Sequence, residues 1–499
     1  MYWQRCVLLP ARRHWVLLLL GYSVRVWIVS GRGVRAGEWR PPMQLRRATR
    51  SELRVGPRFA WLVAVALCAA CGSRTGLIDP GVGVDSGGAG AGAVGATGGA
   101  GATGGVGAVG GTSGVAGCVA LQQVDPVVAI QPGSASADFG PQAVASSDDG
   151  EQVSVAFIRS AAPGPASKSD VDAATFSPWL AWPPTGKLAP AVSLLPAVDF
   201  ASDLRTGSSF GGRFALLLGQ GPMLGFTPNI DPATGPVAPG VPLFTVGAPL
   251  FVARGAQTGV HLLGIASLDG RLVVHIVESS GPTPEVSTQT LACAVGGITA
   301  DAIGFQDGWL LALSNGAFAP PGGCGSSNVG GPPLRIDVLH LLPSGSVSVL
   351  HSFKVDAPPN AISVASHPTG AFVAWTQASG GAAPVLNAAR IDAVAGAFFG
   401  PFVLTGAKAF PVYVDAASVE NGTLALTWVD HPPDTKANIV LTMVDAHGDL
   451  LQSLPFAASF QGHPNIIGSP SGHSVVISWA TTDLASTVQL ARFDCLGPG

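Results

Sequence analysis

Three late segments, VASHPTGAFVAW (364–375), ASVENGTLALTW (417–428) and IGSPSGHSVVISW (467–479), share one figure: a polar turn containing glycine, alternating apolar residues, then tryptophan. Trp375, Trp428 and Trp479 fall 53 and 51 residues apart, and each is followed by a second apolar run ending in aspartate, at Asp392, Asp445 and Asp494. The figure runs backwards, with less fidelity, through FQDGWLLAL (305–313), AQTGVHLLGI (256–265), SFGGRFALLL (209–218) and SSDDGEQVSVAF (146–157). The turn glycines Gly150, Gly212, Gly259, Gly308, Gly370, Gly422 and Gly472 are spaced 62, 47, 49, 62, 52 and 50 residues apart. The two long intervals hold Pro/Gly/Ser-rich insertions at 161–169 and 317–333. Alternation at period two, punctuated by Asp-Gly, Asn-Gly and Thr-Gly, means hairpins, because these pairs tolerate the positive φ of tight turns.

A unit of about 50 residues with about four short strands cannot close a core by itself, so its copies must stack. Stacking around an axis predicts an all-β fold, a seven-bladed β-propeller over 118–499; tandem β-sandwiches are the alternative. The recurring tryptophan is expected at the end of each second strand, as core between neighbouring sheets. With 67 glycines, 41 prolines and 11% charged residues, the composition suits an all-β chain rich in turns. No long helical pattern follows residue 118.

Cysteine placement bears on closure. Cys118 opens the repeat region, Cys495 stands near its end, and Cys293 and Cys324 lie between them. Four cysteines allow three pairings. Cys118 with Cys495 is expected to rivet the first and last blades, and Cys293 with Cys324 to pin the insertion of the fourth repeat.

Upstream, residues 59–71 read FAWLVAVALCAAC after five arginines between Met43 and Arg58. This segment resembles the signal of bacterial lipoproteins, whose cleavage leaves a lipidated cysteine. It departs from that pattern in having Cys68 three positions before the cysteine, where leucine is usual. The resemblance implies lipid attachment, palmitate included, at Cys71 and a membrane partner through that anchor. Gly72 follows Cys71 where aspartate would retain such a protein in the inner membrane, so the expected location is the cell envelope, at the outer membrane. Residues 43–70 are thus expected to be the signal peptide. Residues 1–42, with seven arginines and an apolar stretch at 15–30 broken by Arg25, read as an over-extended start ahead of Met43. Residues 71–117 carry the anchor and a Gly/Ala tether, too poor in apolar surface to offset ordering. The order lipidated cysteine, tether, β domain is similar to that of myxobacterial envelope lipoproteins.

Without residues 1–70, 14 basic residues face 28 acidic ones. No basic cluster remains to displace phosphate counterions, which argues against nucleic acid as a partner. The G-x-S-x-G match at Gly207–Gly211 places Ser209 in a hairpin between strands, whereas a nucleophile elbow needs a strand-to-helix turn. Ser146, Asp148 and Gly150 fit the S-x-D-x-G core of the Asp-box of sialidase-like propellers, in which the aspartate serves the turn. The nine histidines after the tether read as solvated loop residues, and neither metal nor cofactor site nor catalytic set is expected. Asp430, His431 and Asp434 form the densest polar loop and the candidate binding rim. The expected role is a binding or scaffolding module for an unknown protein or glycan. Alternatives are a hydrolase or lyase worked from the propeller channel, which requires ionisable residues converging from different blades, and a structural surface component or adhesin.

Overall fold

The computed structural model describes the strands at 5–11, 14–20 and 25–29 and, with short gaps, residues 118–497. The chain divides into two units, 1–107 and 108–499. In the first, Arg5–Ala11, His14–Leu20 and Arg25–Val29 pair as an antiparallel three-stranded sheet. No helix among the described residues is long and apolar enough to cross a membrane. Cys71 and the rest of the tether lie outside the described residues.

The second unit is a seven-bladed β-propeller. Blade 1 comprises Asp138–Ser146, Val153–Ser160, Lys168–Phe176 and Val192–Asp199. Blade 2 comprises Ala201–Ser208, Phe214–Gln220 and Met223–Asp231, the last paired with the short strands Gly235–Pro236 and Val241–Leu243. Blade 3 runs Gly247–Arg254, Val260–Ser267, Arg271–Glu278 and Glu285–Cys293, and Ala317–Phe318 pairs with its outer strand. Blade 4 is Ala300–Phe305, Gly308–Ser314, Arg335–Leu341 and Val347–Lys354. Blade 5 is Pro359–His367, Gly370–Gln377, Val385–Asp392 and Ala397–Val403. Blade 6 is Pro411–Val419, Thr423–Asp430, Asn438–Val444 and Leu450–Ala458. Blade 7 takes Phe460–Gly468, Ser474–Thr481 and Val488–Leu496 from the end of the chain and its outermost strand, Ala120–Ile130, from before blade 1. Each innermost strand packs on the next, and that of blade 7 packs on that of blade 1, so the ring is closed.

The cysteines correct one expectation. Cys118 and Cys495 are bonded, with Cα atoms 5.2 Å apart, but both belong to blade 7. The bond therefore completes one blade from the two ends of the domain and does not rivet blade 7 to blade 1. Cys324, and with it the Cys293–Cys324 pairing, lies outside the described residues.

Second strands carry the core because both their faces meet neighbouring sheets. Gly370–Gln377 and Ser474–Thr481 are buried along their whole length. Trp375 packs among blade 4 and blade 5 residues, Trp428 among those of blades 5 and 6, and Trp479 among those of blades 6 and 7. The expected interblade place is thus met at all three. In blade 4 the tryptophan, Trp309, is instead the second residue of the second strand, whose buried run goes on to Ser314.

The turn glycines serve two purposes. Gly422 has φ of 73°, a left-handed conformation that disfavours side chains. Gly370 has no such φ, yet a Cβ there would stand 2.0 Å from the Ile391 carbonyl oxygen on the adjacent strand. Because backbone blocks it, Gly370→Ala is expected to cost more than about 2 kcal/mol, measured as a lowered urea midpoint at unchanged slope.

Candidate functional site: the axial channel

Innermost strands pair on one side only, so their alternate residues and free main-chain groups face the channel. Leu204, Ile362, Val414 and Ile466 are buried between blades. Their neighbours in sequence, Asp203 and Arg205, Ser363, Tyr413 and Asp415, and Asn465, fall on the opposite side of the strand. Asp203, Asp301, Tyr413 and His463 all lie near the beginning of their strands, in blades 2, 4, 6 and 7, and so near one end of the channel.

Two carboxylates clamp neighbouring blades. Asp301 Oδ2 accepts from the Val364 main-chain N–H at 2.7 Å and Oδ1 accepts from that of Ala302 at 2.9 Å. Asp415 Oδ2 accepts from the Ile466 N–H and Oδ1 from that of Ala416, both at 2.9 Å. The Ser363 hydroxyl lies between them, 3.0 Å from Asp415 and 3.4 Å from Asp301. These bonds join blade 4 to blade 5 and blade 6 to blade 7 through main-chain groups that strand pairing leaves unused.

Arg205 reaches across to blade 3, donating to the Leu250 carbonyl at 2.9 Å, and meets Asp203 at 2.9 Å. About a third of each side chain stays open to the channel, 33% for Arg205 and 31% for Asp203, so the site is deep but wet. Burial opposes the Arg205 charge, but Asp203, Tyr413 and Asp301 outweigh it and hold the guanidinium more firmly protonated. The Tyr413 ring lies flat on that of His463, centroids 4.0 Å apart and planes 9° apart. Depth in the ring and the Arg205 charge push the His463 pKa down to about 4, so its imidazole is neutral at pH 7. Burial, with Asp415 nearby, pushes Asp301 up to about 7, and burial also raises Asp415.

Asp301 thus takes up its proton near pH 7 when folded and near 3.8 when unfolded. Between those values the folded state binds more protons, so stability falls as pH rises through this window and then levels off. Asp301→Asn is expected to reduce the fall in urea midpoint between pH 4.5 and 8. Comparison with the variant isolates Asp301 from His261 and His275, whose pKa values, lowered to about 4 by burial, act in the opposite sense.

At the other end of the channel, the hairpins joining first to second strands of blades 5, 6 and 7 surround a cavity of about 910 Å³. Small residues make much of its walls, and Ser366, His367, Ser418 and Glu420 are among the polar residues that line it. The Ser418 hydroxyl donates to the Ser366 carbonyl, and Glu420 meets His473 at 2.9 Å.

The loop expected to form a binding rim stands at the same end as Arg205. Asp430 ties the blade 5 to blade 6 connection by accepting from the Phe410 N–H at 2.8 Å, and His431 is exposed. Asp434 lies outside the described residues. Ser209 sits in a hairpin between strands, as expected, with its hydroxyl on Asn229 at 3.0 Å. The turn of the Asp-box match is built one residue later than expected, on Ser147 and Asp149, whose side chain also accepts from the Glu151 N–H; Asp148 lies outside the described residues. Nor are the histidines all in loops. His261 is buried in a strand, His275 bonds Thr245 and Thr288 at 2.9 Å each, and His463 is on an innermost strand. Among the described residues, no group of three or more His, Cys, Asp or Glu could hold a metal ion.

The channel residues do not share in the sequence repeat because they differ from blade to blade. Their signal was a charged or aromatic polar residue interrupting a first strand, in SDLRTG (202–207), ADAIGF (300–305) and YVDAAS (413–418).

No protein-family model matches the chain, and no curated protein matches it. Solved structures do match. A protein of unknown function from Dyadobacter fermentans DSM 18053 is 11% identical, with TM-score 0.41, over 75% of this chain and 99% of that one. The β-propeller domain of the Trilobed protease from Pyrococcus furiosus is 12% identical, with TM-score 0.41, over 71% and 95%. The six-bladed β-propeller lectin from Aleuria aurantia is 12% identical, with TM-score 0.36, over 68% and 96%.

Proposed function

We propose that this chain is a lipid-anchored, extracytoplasmic binding module whose ligand enters the axial channel. The convergence of Asp203, Arg205, Asp301, Tyr413, Asp415 and His463 from four blades into a wet channel carries this reading. Asp301 and Asp415 are each occupied in holding two main-chain N–H groups, and the Ser363 hydroxyl is held between them, which supports recognition over turnover. The signal-like segment ending at Cys71 supports export and anchoring, and the Cys118–Cys495 bond accords with an oxidising compartment.

Growth with labelled palmitate, followed by mass spectrometry, tests the anchor: label is expected on Cys71 and lost in Cys71→Ser. Capture of envelope components on the immobilised full chain tests the channel. Retention is expected to fall in a variant combining Arg205→Gln with Tyr413→Phe, and undiminished retention overturns the channel as the site. The Asp301–Ser363–Asp415 bridge favours a second reading, a hydrolase worked from the channel, since one carboxyl there is half protonated near pH 7. That reading requires turnover that Asp415→Asn abolishes.

A further inference from the structure

We infer that the Arg205 end of the channel binds a neutral polyhydroxylated ligand, a single sugar ring, between the Tyr413–His463 stack and the Asp203–Arg205 pair. This inference rests on the channel being a binding site and names its ligand class.

Unused hydrogen-bonding capacity is the first observation. Asp203 Oδ1 takes the Leu204 N–H and the Arg205 guanidinium, leaving Oδ2 as an acceptor. Arg205 spends Nε on Leu250 and Nη1 on Asp203 and the Leu204 carbonyl, so Nη2 remains as a donor. Neither the Tyr413 hydroxyl nor a ring nitrogen of His463 is bonded to another described residue. Donor, acceptor and two groups able to do both therefore stand together, and vicinal hydroxyls, each donor and acceptor at once, satisfy such a set.

Charge is the second. Opposite charges stand side by side, so either kind of ion meets its own sign. An anion on Arg205 would lie within electrostatic reach of Asp203, Asp301 and Asp415, and a cation on Asp203 would lie against Arg205. A neutral ligand meets neither cost. It can use charge-assisted hydrogen bonds to both members of the pair, which are stronger than those between neutral groups.

Shape and access are the third. The Tyr413 and His463 rings each cover one face of the other, so the outer face of exposed His463 is the flat aromatic wall against which the C–H face of a sugar ring can lie. His463 is exposed to the channel, and Arg205 and Asp203 are partly so, and a ligand needs no opening motion to reach them. With His463 neutral, the wall carries no charge of its own.

Calorimetric titration of the full chain in detergent with three probes of one ring shape tests this: a methyl hexoside, the matching hexuronate and the matching hexosamine. The neutral hexoside is expected to bind, and the two charged rings to bind at least about tenfold more weakly. Tyr413→Phe, which keeps the stack, is expected to weaken the hexoside about three- to tenfold at an unchanged melting temperature. Absence of hexoside binding overturns the inference, as does binding that Tyr413→Phe leaves unchanged. Charged rings binding as tightly as the neutral one, with loss in Tyr413→Phe, overturn the sugar class and leave the channel standing as a binding site. Loss of envelope-component capture, by contrast, bears on the binding reading itself.

Discussion

Replacing Cys118 by serine is expected to lower stability by about 3 to 5 kcal/mol, a large loss for the exchange of a single atom. The bond spans 377 residues of sequence, and the loop-entropy argument gives long spans the greatest restriction of the unfolded chain. The rest of blade 7 remains, since Ala120–Ile130 still pairs with Val488–Leu496 along its length and Leu121 still meets Gln452 of blade 6. Cys118→Ser is therefore expected to fold and to melt about 4 to 6 °C lower, by the entropy of unfolding of a domain this size. Reducing agent is expected to lower the melting temperature of the unmodified chain by more than that of the variant. Equal melting of both, before and after reduction, would show that the bond contributes nothing.

Trp375→Ala is expected to cost about 3 to 5 kcal/mol, the range for deleting a buried aromatic side chain and leaving a cavity. The indole is 1% exposed, packs on Phe353 with ring centroids 5.0 Å apart, and donates its N–H to Gln377 at 3.1 Å. It fills space between blades 4 and 5, so its loss loosens two blades at once. Trp375→Phe is expected to cost less, since it keeps most of the volume and leaves only the Gln377 oxygen without its donor. Urea midpoints of the two variants, taken at one pH, order them; equal midpoints would mean that volume at this position does not matter.

The repeat was legible in the chain because packing between blades imposes the same demand on each: a glycine at the turn, then a second strand apolar on both faces. Trp375, Trp428 and Trp479 recur for that reason, and their positions fixed the phase of blades 5 to 7. The place of Ala120–Ile130 was not legible. A lone strand alternating like any other carries no mark of which blade it completes, and only the pairing of Leu490 with Val128 and of Cys495 with Leu121 decides it. The channel was hidden for a related reason. Its residues face solvent rather than a repeated neighbour, so nothing forces Arg205 in blade 2 to resemble Asp415 in blade 6. His463 looked like a loop residue because His-Pro is a turn-like pair. A register shift between Gln461 and Asn465 in the ladder admits it into the strand instead.

Blade 7 gives the molecule an order of events. Residues 120–130 leave the ribosome before any of blades 1 to 6, yet their hydrogen-bonding partner, 488–496, is made last. Through the whole of synthesis the earliest strand waits with its edge unsatisfied, the condition in which strands join the wrong neighbour. The thiols of Cys118 and Cys495 cannot meet until that late pairing occurs, so oxidation between them is a timestamp of completion. A chain stopped between 459 and 487 would keep six finished sheets and a seventh that is never completed.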